Sequence, residues 1–216
     1  MRTRSGQGAG KEPGQNEGFS CETKRAILHA ARNRFLHYGF RKTTIDEIAA
    51  AAGVGKGTVY LYFDNKEDIL TTLAVEVKRN ITAQMQAIAD SLAAPEERIR
   101  RMILAAILSV HEACHSFAHG LELVDELVEP RLRQCGQSER EAQFALVARM
   151  VEEGIAKGDF APLGSPDETA RQLFLAMVSF FPPYANPCHG TSGCRFDLER
   201  RANAMLDLIF NGLRRH

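Results

Sequence analysis

No stretch of this 216-residue chain approaches the roughly 20 consecutive apolar residues that a bilayer-crossing helix needs. No membrane is therefore expected among its partners. The opening residues, MRTRSGQGAGKEPGQNEG, lack the apolar core of a secretory leader. The five cysteines (Cys21, Cys114, Cys135, Cys188 and Cys194) are odd in number and form no CxxC pair, so reduced thiols in a cytoplasmic protein are the expectation. Alternating apolar and polar residues, the mark of a half-buried strand, do not stand out anywhere, and there is no internal repeat. A glycine-rich phosphate loop and a nucleophile elbow are also missing. These absences argue against an enzyme and against a resident cofactor.

What is present is ordinary for a globular domain: 44% apolar and 25% charged residues. The net charge of zero hides an asymmetry. Residues 1–70 hold eleven Lys and Arg against eight Asp and Glu; residues 71–216 hold sixteen against nineteen. The positive end suits contact with phosphates. Residues 1–19 read as a disordered arm of glycine and polar residues. Helical periodicity begins near Ser20, with Ile27, Ala30, Ala31, Phe35 and Tyr38 on one face and Gly39 ending it.

Thr44 and Glu47 have the spacing of a capping box, opening a helix that buries Ile48, Ala49 and Ala52. Gly53 stands where the chain must turn sharply, and Val54 fills the angle. A short helix over 55–62 follows, with Val59 turned inward. Lys56, Gly57, Thr58 and Tyr60 lie in its first turns, and Gly55 and Gly57 let its backbone come close to a groove. Two helices around a tight turn, the second polar and basic, are the form of a helix-turn-helix, whose second helix enters the DNA major groove. Lys42, Thr43, Thr44 and Lys66 flank it as candidate phosphate clamps. Asn65 caps a long helix with Leu70, Leu73, Val77, Ile81, Met85, Ile88 and Leu92 on one stripe, ended by Ala94 and Pro95.

The run TTIDEIAAAAGVGKGTVYLYFDNKEDIL resembles the signature of the TetR family of transcriptional regulators. The match lies in the Ala-Gly-Val turn, the Lys-Gly-Thr-Val-Tyr recognition helix and the Tyr-Phe…Asn-Lys-Glu entry into the next helix. It covers about residues 20–80. The resemblance implies an all-α protein. An N-terminal three-helix helix-turn-helix DNA-binding domain over 20–66 would precede a C-terminal helical ligand-binding and dimerisation domain over 67–216. It also implies a homodimer on double-stranded palindromic operator DNA, acting as a repressor released by a small-molecule effector. Thr44, Lys56, Thr58, Tyr60, Tyr62 and Lys66 map onto its DNA-contact positions.

Past Pro95 the pattern stays helical. Ile99, Met102, Ile103, Ile107, Val110 and Cys114 mark one helix and residues 121–128 another. Ser138 and Glu141 suggest a capping box for a third. Ser165, Pro166 and Glu168 open a helix expected to run to Phe181, and Leu198 to Leu213 form the last. An organic effector is expected among Met102, Ile103, Ile107, His111, Cys114, His115, Phe144, Phe174, Met177 and Phe181. The alternative sensor is a metal or redox site. His111, His115 and His119 recur every four residues on one helical face, with Cys188, His189 and Cys194 as further soft ligands. HEACH at 111–115 formally matches the zinc-protease pattern HExxH, but no third ligand stands at a known offset, so chance on a polar face explains it better.

Overall fold

The computed structural model describes residues 14–115, 136–181 and 193–214. Among these residues the chain is all-α: α1 Gly14–Tyr38, α2 Ile45–Ala52, α3 Lys56–Tyr60, α4 Lys66–Ala89, α5 Pro95–His115, α6 Gln137–Lys157, α7 Pro166–Ala176 and α8 Gly193–Leu213. A short 3-10 helix, Val178–Phe180, follows α7. The one extended pairing among the described residues is an isolated bridge between Phe160 and Arg214. No described helix is long and apolar enough to cross a membrane. The helix expected over 121–128 lies outside the described residues.

Local chemistry sets most helix boundaries. The Thr44 side chain accepts from the Glu47 amide at 3.3 Å, and the Thr44 amide donates back to Glu47 Oε2 at 2.9 Å. Asn65 Oδ1 accepts from the Asp68 amide at 2.8 Å to start α4. Ser165 does the same for α7 with the Glu168 amide at 3.2 Å, ahead of Pro166.

Other boundaries depart from expectation. Among the described residues α1 already runs from Gly14, ahead of Ser20. α4 stops at Ala89, where Ser91 Oγ donates to the Ile88 carbonyl at 2.7 Å and Arg98 donates to the Ala89 carbonyl at 2.9 Å. Leu92 is consequently outside the stripe and fully exposed, and Pro95 opens α5 rather than closing α4. The Ser138 capping box does not form. Gly136 takes the N-cap in a left-handed conformation, Ser138 donates to Glu139, and Glu141 pairs with Arg171 of α7 instead. α7 ends at Ala176 and tightens into the 3-10 turn, five residues short of Phe181.

Two buried clusters divide the molecule. The first joins Ile27, Ala31 and Phe35 of α1 with Ile48 of α2, Val59 of α3, and Ile69 and Leu70 of α4. The second joins Ile81, Met85 and Ala89 of α4 with Ile99, Met102 and Ile107 of α5, Val147 and Val151 of α6, and Leu206 and Phe210 of α8. Each large apolar side chain fully withdrawn from water contributes about 1.5–3 kcal/mol. α4 therefore belongs to both clusters.

One polar contact is built into the second cluster. The Arg98 guanidinium is buried, donating to the Ala89 carbonyl and pairing with Glu153 at 2.6 Å, which also meets Lys157 at 2.6 Å. The Arg98 hydrogen bond, then that of Lys157, lowers the Glu153 carboxyl from an ordinary 4.5 to about 2. A depressed carboxyl contributes stability above its unfolded pKa and loses it as pH falls through the folded one. Thermal melts between pH 7 and pH 2 should therefore show a shallower acid loss for Glu153→Gln than for the native chain below about pH 4.5. At neutral pH the variant should melt lower, because the buried Arg98 loses its counter-charge.

Candidate nucleic-acid interface

The segment between α1 and α3 is held from beneath by apolar contacts and from its edges by polar ones. Gly39 takes a left-handed φ of 87°, which turns the chain out of α1. Phe40 then folds back against Phe35, ring centroids 5.1 Å apart. α2 is fixed by its capping box and by an ion pair from Arg34 of α1 to Glu47. The Glu47 carboxyl lies below its usual range, chiefly through its hydrogen bond with the Thr44 backbone. At the other end of α2, Gly53 (φ 69°) donates to the Ala50 carbonyl at 3.2 Å and Val54 to that of Ala49 at 3.0 Å.

α3 has only five residues and no side-chain cap. It is positioned by Val59, wholly buried against Ile48 and Phe63, with Val54 half-buried beside them. Its opposite side is open: Lys56, Gly57, Tyr60 (49% exposed) and Leu61 (82% exposed) face solvent. A Cβ added at Gly57 would meet nothing within 4 Å, and one at Gly55 only Thr58 Oγ1 at 3.8 Å. Packing within the chain demands neither glycine. Lys56 pairs with Asp46 of α2 at 3.0 Å, and that hydrogen bond raises its pKa.

The other expected contact residues divide. Lys42 and Thr44 are exposed beside α3, although the Thr44 hydroxyl is engaged in its cap. Thr58 is half-buried. Tyr62 is also half-buried, packed on the first core with its hydroxyl 3.5 Å from Ser20 Oγ of α1. Thr43 must be corrected: its side chain is 1% exposed and its hydroxyl donates to the Gly39 carbonyl at 2.8 Å, so it holds the turn and offers nothing to a phosphate. Lys66 is half-buried, its ammonium turned onto backbone carbonyls of residues 40–43. Leu61 is the surface residue that sequence reasoning left out. Its signal was a large apolar side chain four residues past Gly57, on the side away from Val59.

In the second half, Met102, Ile103, Ile107 and Met177 are entirely buried in the core, Phe174 and Phe181 are partly buried against it, and Phe144 is half-buried. Phe144 and Phe174 meet edge to face at 5.0 Å, and Arg171 lies over the Phe144 ring. His111 is buried on α5. The side chains of Cys114, His115 and Cys194, and residues His119, Cys188 and His189, lie outside what is described. Among the described residues no group of three or more His, Cys, Asp or Glu could hold a metal.

Residues 27–73 match the model of bacterial regulatory proteins, tetR family. Beyond that segment the chain is similar to the fatty acid metabolism regulator protein of Bacillus subtilis, 27% identical over 194 residues, covering 87% of this chain and 93% of that protein. It is likewise similar to the HTH-type transcriptional repressor BepR of Brucella suis, 28% identical over 209 residues, covering 90% and 93%. Its fold is similar to that of the transcriptional regulator FadR from Bacillus subtilis, solved in complex with stearoyl-CoA. The TM-score is 0.63 at 23% identity, over 88% of this chain and 98% of that one. The matching N-terminal segment, the helix-turn-helix held by Val59 and the full-length relatives agree: residues 27–73 are similar to the DNA-binding segment of tetR-family regulators, and the chain is a DNA-binding transcriptional regulator, not an enzyme.

Proposed function

We propose that the protein is a cytoplasmic homodimeric repressor that binds a palindromic operator and leaves it when a small organic molecule enters the C-terminal helices. The observation that carries the DNA-binding part is the face of α3, where Lys56, Gly57, Tyr60 and Leu61 are open while Val59 is locked beneath. Lys56 and Lys42 bring positive charge to phosphates, and Tyr60 and Thr58 reach sugars, phosphates or base edges. Gly55 and Gly57 permit close approach, Thr44 borders the groove, and Tyr62 braces the helix end from α1. Residues 20–66, with the first turns of α4, form the reading unit; the rest of the chain senses and dimerises.

Dimerisation is supported by apolar side chains left open on the last helices: Leu175 on α7, Val178 beyond it, and Phe196 and Leu208 on α8. Two copies joined through these helices give the two-fold axis that a palindrome mirrors. Support for an effector comes from α4, whose later turns share a core with α5, α6 and α8. A molecule that changes packing around Phe144, Phe174 and Phe181 can shift α4 only by binding one arrangement better than the other. BepR is named a repressor, and FadR was solved with an acyl-CoA; both fit this scheme without identifying the effector here.

An operator selected from random duplexes and measured by fluorescence anisotropy tests the proposal. Tyr60→Ala should weaken binding at least tenfold, a typical loss for a removed interface aromatic, with an unchanged melting temperature because Tyr60 is half exposed. Unchanged affinity at matched salt would remove Tyr60 from the interface. In sedimentation at micromolar concentration the native chain should run as a dimer. Leu175→Glu with Leu208→Glu should give folded monomers with much weaker operator affinity, and a native chain that is already monomeric would overturn the two-fold scheme.

A further inference from the structure

We infer that Leu61 is a thymine reader: its side chain packs on the C5-methyl group of a thymine in the major groove, and the operator carries that base in each half-site. The inference rests on the reading of α3 given above and assigns a base to one residue of it. Leu61 is 82% exposed. The other large apolar side chains of residues 20–73 are buried or half-buried, except Tyr38 and Tyr60, and those two carry a hydroxyl. Leu28, Leu36, Leu70 and Leu73 all take at least part of the gain that burial gives a leucine, and Leu61 alone of the five forgoes it.

Its place on α3 is fixed. Leu61 closes the helix in a helical conformation, φ −72° and ψ −21°, and its amide donates to the carbonyls of Gly57 and Thr58, each at 3.2 Å. A helical side chain leans toward the N-terminus of its helix. Leu61 therefore leans over Gly57, four residues back, which has no side chain to cover it. Val59, buried with Ile48 and Phe63 on the far side, prevents α3 from rolling Leu61 inward. The surface that meets this face in a major groove is almost wholly polar: charged phosphates, and base edges made of hydrogen-bond donors and acceptors. The exception is the thymine methyl. A leucine can neither donate nor accept, so the methyl is the group it favours. Opposite cytosine the same side chain would strip water from the N4 amino group and return no hydrogen bond, which selects against that base.

The test removes one methyl group at a time. In an operator selected from random duplexes, each thymine is replaced singly by deoxyuridine, and binding of the full-length protein is followed by fluorescence anisotropy. At one thymine in each half-site the native chain should lose about fourfold in affinity, the worth of one buried methyl-sized group. Leu61→Ala should bind the unmodified operator about fourfold more weakly or worse, and the deoxyuridine that penalises the native chain should cost this variant nothing. Leu61→Asn, close in size but polar, should likewise cease to distinguish thymine from deoxyuridine. Both variants should keep the native melting temperature, because the side chain is exposed. The slope of log K against log salt should also stay native, because a leucine neutralises no phosphate. A selected operator with no thymine shared by its half-sites would overturn the assignment, as would native affinity in Leu61→Ala. So would a deoxyuridine penalty that persists in Leu61→Ala, which would give the methyl contact to Thr58 or Tyr60. If Tyr60→Ala weakens binding and Leu61→Ala does not, this assignment alone fails. If neither does, or if the native chain binds no selected duplex, the reading of α3 fails and the assignment falls with it.

Discussion

α4 is one unbroken helix of 24 residues, about 36 Å long, whose first turns are buried in one core and whose last turns are buried in another. Everything else is arranged around that sharing. Ile69 and Leu70 are as necessary to the helix-turn-helix as Ile48 or Val59, since without them α1 and α2 would close on a half-filled interior. Ile81, Met85 and Ala89 are equally part of the interior that α5, α6 and α8 enclose. A close-packed interior transmits displacement rather than absorbing it. The two halves are therefore coupled by a shared apolar element, with no need for a chain of polar contacts between them.

The reading helix is unusual in how little it does for its own stability. Five residues give barely more than one turn, no side chain caps it, and only Val59 is buried. Its conformation comes from the Gly53 turn behind it and the Val59–Phe63 contact below it. That leaves Lys56, Gly57, Tyr60 and Leu61 unconstrained by packing, which is what a surface meant to be buried against something else requires. The exposed pair between Lys56 and Asp46 is of the kind worth little in water. It can be exchanged for a phosphate at small cost.

The helix-turn-helix was legible because its determinants are local. A capping box, an asparagine cap and a glycine in left-handed conformation each act within a few residues, so Thr44, Asn65 and Gly53 announced their roles in sequence order. The same logic worked at Ser165 and failed at Ser138. There a glycine two residues earlier took over the cap, and Glu141 was drawn to Arg171, thirty residues away in the chain. The end of α4 was misplaced for a similar reason, because Arg98 of the next helix donates to the Ala89 carbonyl at its last residue. Thr43 was misread for a third. It looks like a surface polar group beside a DNA-binding helix, but its hydroxyl is turned inward onto a backbone carbonyl of the turn, which leaves no mark in the residue types. The sensor half was least legible. Met102, Ile103, Ile107 and Met177 have the spacing of a pocket wall and the spacing of a core alike, and all four are buried within the second cluster.

The two ends of α4 are finished by the same device. At its start a lysine of α4 donates to carbonyls of the preceding turn; at its end an arginine of α5 donates to a carbonyl of α4. The surroundings differ. Arg98 is buried and held by Glu153 and, through it, by Lys157, so its charge is compensated on the protein side and the end of α4 is fixed to α6 as well as α5. Lys66 is half-buried beside a surface turn, with only carbonyl dipoles and an aromatic face opposite its charge. Repacking of the second core that leaves the Arg98–Glu153 pair intact would turn α4 about that end, because leaving the buried Arg98 without its counter-charge is the costlier alternative. The displacement is then largest at Lys66, where the helix meets the turn that borders the DNA-reading face.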